Sequence, residues 1–84
     1  MKLDLFVVKD VVSKESGTRA DNFNIIGRTC SIYTGHIEEG RSMMIFFDDY
    51  PLTTSRVQEF EFADTILTVI TLNTIYTFER ITTE

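Results

Sequence analysis

Short runs of β-branched and aromatic residues, broken by turn-forming residues roughly every 8 to 12 positions, leave this 84-residue chain few folds to choose from. Residues 2–12 read as a first strand, with Leu3, Leu5 and Val7 on one face, Phe6 and Val8 on the other, then Val11 and Val12. Residues 41–47 alternate Met43, Ile45 and Phe47 with Met44 and Phe46. Residues 56–62 alternate Phe60 and Phe62 with Glu59 and Glu61. Strands at 66–71 and 75–81 follow, joined by turns at Ala63–Thr65 and Leu72–Thr74, where Asn73 tolerates left-handed geometry. The segment DDYPLTT at 48–54 holds the only proline and ends the 41–47 strand. No segment keeps a helical i, i+3, i+4 stripe for three turns. The nearest, 52–62, opens on Thr53, Thr54 and Ser55 but then alternates Glu with Phe. The expectation is an all-β, single-domain barrel or sandwich over residues 1–84, of about six to seven mostly antiparallel strands.

Residues 23–47 organise that barrel. Three of the four glycines, Gly27, Gly35 and Gly40, lie here between short apolar runs, and read as bends or bulges in curved strands. Residues 23–34 read as one extended stretch broken at Gly27. Ile37 stands alone between Gly35 and Gly40, flanked by His36, Glu38 and Glu39, which predicts a tight turn tacked down by one buried side chain. Residues 13–22, SKESGTRADN, read as a mobile loop.

Composition narrows the function classes. One cysteine, Cys30, excludes an intramolecular disulfide and any multi-cysteine zinc site, and suits a reducing cytoplasm. The charged N-terminus is not a signal peptide, and no run approaches the roughly 18 apolar residues of a membrane span. Eight basic against thirteen acidic side chains give a net charge of −5, with the five arginines and three lysines scattered, which disfavours sequence-independent nucleic-acid binding.

No catalytic signature stands out. His36 is the only histidine and reads as a solvated turn residue; Cys30, in TCSIY, reads as a small buried hydrophobe. The pairs Glu38–Glu39 and Asp48–Asp49 lack the spaced oxygens of a calcium loop, so neither a metal nor another cofactor is expected. Two surface features remain. Met43, Met44, Phe46, Phe47, Tyr50 and Leu52 crowd ten residues, more apolar side chains than one inner face can hold, and form a candidate interface. If the strand of Glu59 and Glu61 neighbours that of Thr77 and Glu79, then Glu59, Glu61, Asp64 and Glu79 form an acidic patch, partly neutralised by Arg56 and Arg80.

The order of Phe6-Val7-Val8-Lys9-Asp10-Val11, Phe23-Asn24-Ile25-Ile26-Gly27-Arg28, Gly35-His36-Ile37-Glu38-Glu39-Gly40 and Met43-Met44-Ile45 resembles the β-barrel domain 2 of translation GTPases of the elongation factor Tu and selenocysteine-specific factor type. Residues 54–62, TSRVQEFEF, are similar to a further strand of that domain, so the likeness covers about residues 5–62. The loop at 13–22 is inserted, the stretch after Gly-Arg is shortened, and the closing pattern is missing; comparable glycine spacing occurs in SH3-like barrels. No G-x-x-x-x-G-K-[ST] is present, so GTP is not hydrolysed by that route. The resemblance implies a stand-alone barrel that docks onto a protein or an RNA end, with Gly27, Gly35 and Gly40 as architectural positions.

Three functions follow as expectations. The first is a non-catalytic module binding a protein, or a second copy of itself, through the apolar surface near 43–52, flanked by Asp48 and Asp49. The second is an RNA-end or tRNA-binding barrel, which needs Arg28, Arg41 or Arg56 gathered with Tyr33 or Tyr50 as stacking platforms. The third is a small phage- or mobile-element-type inhibitor of a basic host protein.

Overall fold

Six strands in chain order close into one antiparallel barrel, β1-β2-β3-β4-β5-β6, with β6 returning to β1. They are β1 (Asp4–Ser13), β2 (Thr29–Ile32), β3 (Ser42–Phe46), β4 (Pro51–Ala63), β5 (Ile66–Thr71) and β6 (Thr74–Arg80). The computed structural model describes residues 3–14 and 23–81. The expected mobile loop at 13–22 falls outside the described residues except at its start, where Ser13 ends β1 and Lys14 enters a turn.

The imperfect alternation of β1 has a local cause. Asp4, Phe6 and Val8 point inward; a register shift between Val8 and Asp10 then moves the inward set to Val11. The Asp10 carboxylate accepts the Val11 N–H at 3.0 Å and fastens the bulge. The core is drawn from every strand, and Ile25 and Ile37 close it from the connections.

Several local features differ from the sequence reading. Phe23–Ile25 is a 3-10 turn rather than strand, and β2 is only four residues, followed by a second 3-10 turn at Thr34–His36. Pro51 does not lie in a loop: it is the first residue of β4, where a missing N–H costs no ladder bond. The left-handed turn residue is Asp64, at φ 57°, not Asn73. Asn73 instead sits in a turn held by Thr71, whose hydroxyl donates to the Thr74 carbonyl at 2.8 Å and accepts the Thr74 N–H at 3.1 Å.

Pairing extends β4 to thirteen residues. At about 3.3 Å per residue its extended length of roughly 40 Å is comparable to the 39 Å long axis of the molecule. Two register shifts divide it, one opposite Ser42–Met44 and one between Val57 and Glu59. Its buried residues, Thr54 and Val57, are therefore three apart, and Phe60 is the next residue on that face. The capping residues Thr53, Thr54 and Ser55 that open 52–62 thus lie within a strand, beside its first bulge. At the first shift the Thr54 hydroxyl accepts the Met43 N–H at 3.0 Å and donates to the Ser55 carbonyl at 2.7 Å.

The three glycines are not equivalent. Gly27 and Gly40 have φ near +89° and +88°, which only glycine adopts at little cost, and their N–H groups donate at 2.7 Å to the Val8 and Val57 carbonyls. Gly35 lies in the second 3-10 turn without positive φ, and a Cβ there would meet nothing within 4 Å. Its expected architectural role is thus corrected.

Candidate functional site

Met43, Ile45 and Phe47 point inward and are buried, while Met44 and Phe46 point outward, as the alternation of 41–47 requires. Burial splits the six interface candidates. Met43 and Phe47 belong to the core and are corrected as surface residues; Leu52 packs against that core from a partly buried position. Tyr50 lies with its ring 5.6 Å from that of Phe47, while the Arg28 guanidinium sits 4.7 Å from the Phe47 ring and 5.6 Å from the Tyr50 ring. Arg28 also bonds Asp49 at 2.7 Å, which raises the arginine's pKa and holds the Asp49 carboxyl below the usual carboxylate range. The turn after β3 therefore folds over the barrel end and uses one of its two acids internally.

What remains outward is a strip the sequence did not show. The registers Leu5↔Ser31 and Ser31↔Phe46 and Phe46↔Pro51 align these four residues across β1, β2, β3 and β4. Leu5 is 42% and Met44 43% exposed. Tyr33 meets Phe46 edge-on at 5.9 Å and lies 5.8 Å from the His36 ring. Tyr33, His36, Arg41, Met44 and Phe46 line a shallow groove of about 360 Å³ beside the strip. Arg41, paired with Glu38 at 3.5 Å, stands exposed at the groove's rim.

The expected acidic patch is not assembled. β5 lies between β4 and β6, so Glu79 is separated from Glu59 and Glu61 by a full strand. Glu79 instead pairs with Lys9 at 3.1 Å, and Arg80 turns to Asp4 at 3.2 Å. Asp64 occupies the β4–β5 turn. Asp4, buried at the start of β1, also accepts the Thr34 hydroxyl at 3.0 Å, so each of its oxygens is engaged in fastening β1 to neighbouring segments.

Cys30 is buried in β2, and burial pushes its thiol up to about 12. Arg28 is committed to Asp49 and offers no activation of that thiol. His36 is exposed in its turn, and among the described residues no hydrogen bond joins it to Cys30 or Ser55. No group of three or more His, Cys, Asp or Glu among the described residues could hold a metal ion.

No family model, curated protein or solved structure matches the chain. It is a small closed antiparallel β-barrel. The expectation of an all-β barrel of about six strands is met, and no family match links the chain to translation-factor domain 2. Among the described residues no helix is long and apolar enough to cross a membrane.

Proposed function

We propose that this barrel is a non-catalytic interaction module that binds a protein partner through the outward strip of β1–β3. The observation that carries this reading is the row Leu5, Ser31, Phe46 and Pro51, extended by exposed Met44. An antiparallel sheet ordinarily turns polar residues outward, and contiguous exposed apolar surface rimmed by charge marks an interface. Binding would be driven by covering that surface, and the net charge of −5 would favour a partner of opposite sign. The free, buried thiol suits a cytoplasmic setting. Size and charge also suit the inhibitor of a basic host protein.

The test is retention of proteins from a cytosolic extract by the immobilised barrel, beside the Leu5→Glu/Met44→Glu variant. Loss of specific retention by a variant with native urea stability supports the strip; an unchanged set of retained proteins rejects it. A concentration-dependent doubling of the 9.7 kDa solution mass, abolished in the same variant, would make the partner a second copy.

A second reading has one observation in its favour. Tyr33 and Arg41 line one groove, the pairing of stacking platform with cation that an RNA-end-binding barrel of the translation-factor type requires. The likeness to domain 2 supports it; the overall acidity and the Glu38–Arg41 pair oppose it. Salt-dependent retardation of labelled RNA, lost in Tyr33→Ala, would carry this reading, and no binding at low salt would end it.

A further inference from the structure

Among the described residues, the far half of β4 has a sheet edge with no strand paired to it. Pairing with β3 stops at Ser42↔Arg56. One residue later the Val57 N–H donates to the Arg41 carbonyl at 2.8 Å, and its carbonyl accepts the Gly40 N–H at 2.7 Å. β4 then continues through Gln58–Ala63, paired on one side only, to β5. Among the described residues no backbone hydrogen bond reaches the other side of this segment.

Register fixes which groups lie there. Asp64 and Thr65 form a two-residue turn closing on Ala63↔Ile66, so the ladder bonds fall at Ala63/Ile66, Glu61/Thr68 and Glu59/Ile70. The N–H and C=O groups of Phe60 and Phe62 consequently point to the open edge, four main-chain groups at the spacing of an antiparallel ladder.

The side chains specify what would fit. Phe60 and Phe62 stand opposite Val69 and Leu67, on the core side of the sheet, yet remain 38% and 39% exposed. Phe62 leans on Phe6 at 5.8 Å between ring centres. On the outward side the same six residues present only the exposed acids Glu59 and Glu61 between Gln58 and Ala63. Edges are ordinarily blunted by proline, lysine, a bulge or a covering segment. Here the bulge sits at Gln58, the first residue of the open stretch, where the Lys14 ammonium donates to the Gln58 side-chain oxygen; Glu59–Ala63 beyond it carries neither proline nor lysine.

We propose that this edge takes up an extended peptide as an added strand, one whose alternate side chains are apolar toward Phe60 and Phe62 and basic toward Glu59 and Glu61. Main-chain bonds would supply affinity and the two side-chain rows specificity. A second copy fits less well, because antiparallel pairing of two such edges sets acids against acids. This edge is separate from the outward strip, which reaches β4 only at Pro51, the first residue of that strand.

The experiment follows backbone amide signals of the intact protein during titration with a blocked hexapeptide of alternating valine and lysine. Saturable shifts centred on Phe60 and Phe62, with slowed amide exchange at both, are expected. N-methylation of the peptide amides facing the edge should weaken binding at least tenfold. The Glu59→Lys/Glu61→Lys variant should weaken the basic peptide about tenfold and accept a valine–glutamate peptide instead. No saturation at millimolar peptide, shifts centred elsewhere, equal binding of the N-methylated peptide, or self-association through these residues would each overturn the proposal.

Discussion

Replacing Ile37 with alanine tests whether one side chain holds the connection between β2 and β3. The residues around it, Gly35, His36 and Glu38 to Arg41, are exposed, whereas Ile37 is 6% exposed and belongs to the core. The substitution deletes three carbons from a nearly dry site. At about 0.8 kcal/mol per buried methylene, the transfer loss is about 2.4 kcal/mol. The cavity term should be small, because an exposed loop can settle into the space, so a total of about 2.5 to 3 kcal/mol is expected. A domain of this size has about 4 to 12 kcal/mol in all. Urea unfolding followed by circular dichroism should show a lower midpoint with unchanged slope, and thermal unfolding a drop of about 10 to 20 °C. A loss below about 0.5 kcal/mol, the usual size of a surface substitution, would mean that Ile37 does not hold this connection.

The glycines of the same segment supply an internal contrast: Gly40→Ala should cost about 1 to 2 kcal/mol from its left-handed φ, while Gly35→Ala should be neutral or slightly stabilising in the same urea assay. Cys30, its thiol pushed up to about 12 by burial, should react with a thiol reagent at neutral pH only as fast as the barrel opens, and readily in urea. Asp49 should titrate below the ordinary 3.8 by carboxyl NMR and return toward it in Arg28→Gln. Because that folded-state pKa is lowered, the pair's stabilisation is present above the unfolded pKa and lost as pH falls through the folded one, so Arg28→Gln should lessen the fall in stability on acidification.

The barrel was legible because its signals are local. Alternation in 41–47, the lone apolar Ile37 between glycines and the short turns around Asp64 and Asn73 each concern neighbours in sequence. Bulges were not legible: the three-residue spacing of the inward Thr54, Val57 and Phe60 comes from two register shifts that depend on the partner strands. The start of β4 at Pro51 was hidden by a residue that reads as a breaker but serves at a first strand position. The interface candidates failed in part for a related reason. Parity placed Met43 and Phe47 opposite Met44, but only closure of the barrel decides which face is inside. Leu5 and Phe46 are 41 residues apart and meet one row only through Ser31, so no window of sequence could join them. The acidic patch failed because β5 pairs between the two strands that were to meet.

Docking at the outward strip is decided by quantitative retention from extract by native protein and by Leu5→Glu/Met44→Glu, with Glu38→Gln as a surface control. A discrete set of proteins should be held by the native barrel and the control but lost from the double variant, whose urea midpoint stays native. The same proteins held equally by all three would contradict it.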